Sequence, residues 1–197
     1  MKVDAAGLTD RELVARWLAS ADAAAFDGLI RRHAGLMRRA ALVALGSAAG
    51  RDPACVDDAV QDASERLLSA FSSYRGDSEP ATFIASVARR AALDLVRKGL
   101  RHRAKLRRAA ALAGPEAEAP EDPTGDAERR AAALGVMAAL SELPEPERSL
   151  VYLRDAEGME LAGLAASFSL PLGTVKSKLA RARLRLRERV LREWGRI

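Results

Sequence analysis

The stretch GMELAGLAASFSLPLGTVKSKLARARLRLRER, residues 158–189, changes character twice. Leu161, Leu164, Ala165 and Phe168 fall at i, i+3, i+4 and i+7, the inner face of a short helix. SLPLG then interrupts, because Pro171 cannot continue that helix and Gly173 relaxes the backbone. Thr174 stands where an N-cap or first-turn residue belongs. A long helix follows, with Val175, Leu179, Ala182 and Leu186 on one side at about 100° per residue. Lys176, Ser177, Lys178 and Arg181 are left for other faces, with Thr174 at the exposed N-terminal end. Helix, tight turn and second helix with a polar N-terminal face is the geometry that enters a DNA major groove. Lys and Arg there either read guanine edges or grip phosphates. An ordinary helical hairpin with a solvated basic face has the same pattern, so this stretch alone leaves both readings open.

Composition narrows the choice. Of the 197 residues, 49% are hydrophobic and only 4% aromatic. That is a globular balance dominated by good helix formers, with little material for strands. Charge is unevenly spread: residues 97–108 hold seven Arg or Lys and no acid, and residues 114–128 hold six acids and no base. Residues 171–197 carry nine bases against Glu188 and Glu193. Two basic blocks flanking an acidic strip favour a polyanion partner touched at two places. One cysteine, Cys55, excludes an internal disulfide framework and fits a reducing compartment. No apolar run is long enough to span a bilayer, and the N-terminus lacks an apolar signal core, so the expectation is a cytoplasmic protein.

The rest of the chain reads as helices. Thr9 or Asp10 caps a first one carrying Leu13, Val14, Trp17 and Leu18 on one face. DAAAFDGLIRRHAGLMRRAALVAL predicts a longer second helix, which GSAAGRDP ends. A third begins near Pro53 or Ala54 and runs through Leu68. After the polar loop SSYRGDSEP a fourth extends from about Ala81 to Leu100. Pro115, Pro120, Pro123, two glycines and the acids make 109–128 a linker with too little apolar content to pack. The expected fold is all-α: two small helical domains, 1–108 and 129–197, joined by a flexible acidic linker, the second domain carrying the helix-turn-helix.

LPLGTVKSKLARARLRLRERV closely resembles the GTVKSRLxRAR signature that closes the extracytoplasmic-function (ECF) group of sigma factors in the bacterial sigma-70 family. ALSELPEPERSLVYLRDAEGMELAGLAASF resembles the rest of their fourth region. DAAAFDGLIRRH, VDDAVQDASERLL and YRGDSEPATFIASVARRAALDLVRK resemble their second region, in order. The resemblance covers nearly the whole chain except the linker. It implies a promoter-specificity subunit that binds core RNA polymerase, recognises promoter DNA at two elements, and has no catalytic site or cofactor. An anti-sigma factor is the further partner such proteins usually have.

Carried over by position, the resemblance assigns Val56–Leu68 to docking on the clamp coiled coil of the polymerase. The spacing agrees in kind: Asp58, Gln61, Asp62 and Glu65 lie at i, i+3, i+4 and i+7, opposite Val56, Val60, Ala63 and Leu67. An acidic stripe on a basic protein suits a basic partner better than DNA. The loop YRGDSEP and the following helix match the part that captures an unstacked base of the downstream element. Tyr74 and Phe83 are its stacking or pocket-forming groups, although Phe83 suits core packing equally. Arg75, Arg89, Arg90, Arg97 and Lys98 are available for phosphates. The upstream element falls to Thr174, Lys176, Ser177, Lys178 and Arg181. Leu150, Val151 and Leu153 are read as core, with a surface for the polymerase flap as the lesser reading. The chain departs from the family pattern at Phe83 (a usual tryptophan), around Arg89–Arg90 (an asparagine) and at Ser169 (a glycine), which leaves promoter sequence open.

Two other classes are weighed. A free-standing helix-turn-helix regulator would need a dimer seam, and no long heptad run supplies one. An enzyme would need a constellation the chain lacks. Its two histidines, His33 and His102, come with no metal spacing, phosphate-binding loop or carboxylate cluster.

Overall fold

The computed structural model describes residues 7–52, 54–109 and 135–194, and every regular element among them is helical. The first module contains α1 (Asp10–Ser20), α2 (Ala23–Leu45), the short α3 (Ser47–Arg51), α4 (Ala54–Ala70) and α5 (Pro80–Ala109). The second contains α6 (described over 135–141), α7 (Glu147–Val151) with a π turn (Tyr152–Ala156), α8 (Leu161–Phe168) and α9 (Leu172–Trp194). Residues 109–128, read as the linker, lie outside the described residues except for Ala109.

Local chemistry sets the helix starts. Thr9 and Glu12 form a capping box: the Glu12 amide donates to Thr9 Oγ1 at 3.3 Å, and the Thr9 amide to Glu12 Oε2 at 2.7 Å. Two of the four orphan donors at the start of α1 are thereby satisfied. Asp22 caps α2 through the amides of Ala24 and Ala25. Two expectations are corrected. The fourth helix starts at Pro80 and runs nine residues past Leu100, so the basic block 97–108 continues a helix rather than ending one. GSAAGRDP does not simply break the chain; it forms the single turn α3.

The scarce aromatics are pooled. Trp17, Phe26, Phe71, Tyr74 and Phe83 form a chain of ring contacts with centroid separations of 4.9 to 6.4 Å. Phe71 is fully buried at its centre. Such tilted and edge-on pairs add about 0.5–1.5 kcal/mol each beyond area burial. In the second module Leu150, Val151 and Leu153 are buried, as read from the sequence, and Val175, Leu179 and Ala182 close over them from α9.

The two modules pack on each other, and one buried cluster runs from Leu29, Phe71 and Ile84 through to Leu150, Leu164 and Val175. Across the seam, Arg39 of α2 grips Glu157, and Gly163 of α8 sits so close to Ser78 that an added Cβ would lie 3.2 Å from it. Arg148, only 12% exposed in its side chain, reaches across to donate to the Ala44 carbonyl at 2.8 Å. Its Nη1 donates to Ser141 and Leu143 carbonyls within its own module. Room for the guanidinium comes from Gly46, whose φ of +54° and ψ of −132° suit glycine. A Cβ at Gly46 would stand 2.5 Å from Arg148 Nη1.

Gly46→Ala is therefore expected to destabilise the protein by about 1–3 kcal/mol, since the strained backbone is joined by a clash with a guanidinium that is held on several carbonyls. Gly99→Ala, in α5 with open space around it, should instead stabilise by about 0.5–1 kcal/mol. Paired urea unfolding curves check both.

Candidate nucleic-acid interface

The helix-turn-helix forms with one shift in its hinge. α8 ends at Phe168, and Ser169 takes the left-handed conformation at φ +54°. The backbone freedom assigned to Gly173 is therefore used by Ser169, and Gly173 and Thr174 lie inside the first turn of α9. Val175, Leu179 and Ala182 are buried, while Lys176, Ser177 and Arg181 are exposed and Thr174 and Lys178 half-buried. At 100° per residue, Thr174, Lys178, Arg181 and Arg185 follow one another up a single flank of α9.

Acids of the second module line this helix, which sequence reading missed. Glu147 lies 2.7 Å from Arg185 and 3.9 Å from Arg181. Asp155 takes both Arg183 Nε and Nη2, at 3.0 and 2.5 Å, and Glu142 pairs with Arg189. Among the described residues Lys176, Lys178 and Arg187 have no such ion pair, so the uncompensated charge near the N-terminal end is that of the two lysines. The acids are far from α9 in sequence, and nothing in a one-dimensional pattern pairs them with it.

On α4 the acidic stripe exists, but not all of it is free. Val56, Ala63 and Leu67 are buried, with Val60 half-buried, while Asp58, Gln61 and Glu65 are exposed on the other side. Gln61 Nε2 donates to Glu65 Oε1 at 3.3 Å. Asp62 is half-buried and pairs with Arg66 at 2.7 Å, and Arg66 also holds Asp94 at 2.6 Å. Hydrogen bonding to Arg66 keeps the Asp94 carboxyl below its ordinary range. The unshared negative charge of the stripe is thus Asp58 and Glu65.

The predicted downstream set divides. Tyr74, Arg75 and Phe83 line a cavity of about 340 Å³ together with Ser86, Arg90 and, from the second module, Ser167 and Ser169. This is within the usual size of small-ligand pockets, about 300–1,000 Å³. Phe83 packs on Phe71 at 5.5 Å and also lines the cavity. The Tyr74 hydroxyl donates to the Ser78 carbonyl, and burial pushes its pKa up. Arg89 is half-buried and Arg90 exposed, and each is engaged by the second module. Arg89 bonds Glu145 at 3.2 Å and lies 4.3 Å over the Phe168 ring, a cation–π contact. Arg90 Nη2 donates to the Ser167 carbonyl at 2.7 Å. Arg97, paired with Asp94, and Lys98 lie two turns further along α5. His33 bonds Asp10 at 2.6 Å, and both residues are half-buried. Among the described residues no group of His, Cys, Asp and Glu is arranged to hold a metal ion, and no helix is long and apolar enough to cross a membrane.

The seam carries a titratable pair. Glu157 accepts Arg39 Nε and Nη2 at 2.7 and 3.0 Å and the Tyr152 hydroxyl at 2.7 Å. Hydrogen bonding to Arg39 holds its carboxyl below the usual range, and burial with the Glu157 contact pushes Tyr152 up to about 12.

Comparison with known proteins places these elements. The family model described as sigma-70 region 2 matches residues 29–102, and that described as sigma-70, region 4 matches residues 134–186. The ECF RNA polymerase sigma factor SigM of Mycobacterium tuberculosis is 35% identical over 181 residues, covering 90% of this chain and 83% of that protein. The solved structure of CnrH in complex with the cytosolic domain of CnrY superposes with a TM-score of 0.63 at 21% identity, covering 92% of this chain and 96% of that one. The sigma factor RpoE in complex with the anti-sigma factor NepR from Bartonella quintana gives 0.56 at 20% identity, over 80% and 93%. These two likenesses bear on the fold.

Because its folded pKa is depressed, Glu157 stabilises the seam above the ordinary glutamate range, and this contribution disappears as pH falls through the lowered value. Thermal melts from pH 7 down to pH 3 should show an acid loss of stability that is smaller in Glu157→Gln, which should itself be less stable at neutral pH.

Proposed function

The chain belongs to the ECF group of RNA polymerase sigma factors, and on that premise we propose how its own residues divide the work. The first module, 1–108, docks on core polymerase through α4, with Asp58 and Glu65 as the free charges and Gln61 and Asp62 beside them. Its cavity beneath Tyr74 and Phe83 receives a base of the melted downstream strand, with Arg75, Arg90, Arg97 and Lys98 on the phosphates and Arg89 behind them. An aromatic-lined pocket suits this task because opened DNA exposes base faces that a duplex hides. The second module, 129–197, lays the N-terminal end of α9 in the upstream major groove, with Thr174, Lys176, Ser177, Lys178 and Arg181 at or beside base edges. Residues 109–128 tether the modules, so two weak contacts on one promoter act together through effective concentration.

The observation that carries this reading is the sorting of free charge: uncompensated lysines at the head of α9, uncompensated acids on α4. One face suits a polyanion and the other a basic protein surface. The protein works in the cytoplasm with core polymerase (clamp coiled coil and flap) and promoter DNA. It catalyses nothing itself and needs no cofactor. An anti-sigma factor is the further partner, in line with the complex described for RpoE and NepR. A free-standing regulator is not favoured by any of these features.

To hold melted DNA, Arg90 has to exchange the Ser167 carbonyl for a phosphate, so both DNA sites are usable together only when the seam has opened. Transcription in vitro with core polymerase is the primary test: specific initiation should require both proteins, and tight operator binding by the chain alone would contradict the proposal. Asp58→Lys with Glu65→Lys should weaken polymerase binding on the order of tenfold while leaving the melting curve unchanged. Lys178→Ala and Arg181→Ala should each cost about 1–3 kcal/mol on the upstream element if they read bases. Ser78 Oγ and Ser167 Oγ lie 3.3 Å apart across the seam. Ser78→Cys/Ser167→Cys, in a Cys55→Ser background, should therefore oxidise to a closed form that fails to initiate until reduced.

A further inference from the structure

The flank of α9 that carries Thr174, Lys178, Arg181 and Arg185 has a buried acid beneath it. Glu147 is 6% exposed, comes from α7, and lies 2.7 Å from Arg185 and 3.9 Å from Arg181. Both arginine side chains are more than half exposed, so neither needs the acid in order to be buried. The carboxylate instead draws two guanidinium groups back along the helix toward their own module. Arginines left free there would grip phosphates of any duplex, because phosphate contact carries no sequence information.

We propose that Glu147 is a positioning residue of the DNA-reading helix: it holds Arg185, and more loosely Arg181, against the second module and so limits sequence-independent grip on DNA. The site's discrimination then rests on the uncompensated Lys176 and Lys178 and on an Arg181 whose direction is constrained. Asp155 on Arg183 and Glu142 on Arg189 extend the same compensation to the other flank and further along α9. This inference rests on α9 being the DNA-facing helix.

The test is the salt dependence of full-length chain binding to a short mixed-sequence duplex, read as the slope of log affinity against log salt. Each newly engaged phosphate steepens that slope by about 0.9. Glu147→Gln should steepen it by about 1–2 and narrow the ratio of cognate to mixed-sequence affinity, while Glu147→Asp should keep the wild-type slope. Glu147→Gln with Arg185→Gln should give back about one unit of the change. A merely structural role would leave the slope unchanged or shallower in Glu147→Gln, and would leave the double variant no different from it; either result overturns the proposal. Should Glu147→Gln fail to fold, Arg185→Gln alone decides. The wild-type slope is expected, because that charge is already compensated, and a slope shallower by about one overturns it. Lys178→Ala separates the two levels. An unchanged slope together with unchanged cognate affinity there removes the reading of α9 as DNA-facing, whereas a loss in either, with no change in Glu147→Gln, removes only the role of Glu147.

Discussion

A guanidinium taken out of water is tolerated only where its donors find acceptors and its charge finds compensation. Arg148 meets that condition at its two Nη atoms by standing between the modules, while its buried Nε has no hydrogen-bond partner among the described residues. Desolvation lowers its pKa, and the nearest carboxylate, Glu145, is 3.7 Å away, too far for a hydrogen bond. Its compensation comes mainly from carbonyls: Ala44 at the end of α2, Ser141 at the end of α6 and Leu143 just after it. The left-handed turn at Gly46, the close of α2 and the seating of the second module all follow from making room for one planar cation. Around it Arg39 with Glu157, Arg89 with Glu145 and Phe168, and Arg90 with the Ser167 carbonyl add charge-assisted contacts on the same seam.

These contacts are polar, and that matters for what the seam can do. A wholly apolar interface would separate only at the full cost of exposing it, whereas arginine–carbonyl and arginine–carboxylate contacts can be traded for phosphate contacts of comparable geometry. Arg90 makes one such contact, with the cavity lined by Tyr74 and Phe83 on one side and α8 on the other. Gly163 and Ser167, one helical turn apart on α8, let that helix approach Ser78 and Thr82 closely enough to roof the cavity.

The basic helix α9 is less basic than its composition. Within 171–197 the formal excess of positive charge is large, yet Glu142, Glu147 and Asp155 take up much of it along the middle and far end of the helix. What remains uncompensated lies near the helix-turn-helix hinge. The same holds in reverse for α4, where Arg66 removes Asp62 from the free stripe. Net charge predicted the class of partner, and pairing determined which charged side chains are left uncompensated.

Much of the fold was legible along the chain because helices announce themselves locally. The Thr9–Glu12 capping box, the 3.6-residue periodicity of α2 and α4, and the break at Pro171 need only near neighbours to be read. Helix-turn-helix spacing and the acidic stripe were likewise visible as patterns. The far end of α5 was not, since a run of Arg and Lys is compatible with either helix or coil. The left-handed hinge fell to Ser169 rather than to a glycine because the short α8 had to stop there for Leu172 to begin α9. By itself, then, the sequence determined the helices, their apolar faces, the class of partner and the family. Only tertiary structure decided which charges are spent inside the molecule, where Arg148 lies, and that α8 covers the cavity lined by Tyr74 and Phe83. The reason is physical: periodicity is a property of residues three and four apart, whereas ion pairing and burial depend on side chains that folding brings together from as far as 118 positions away, as it does Arg39 and Glu157.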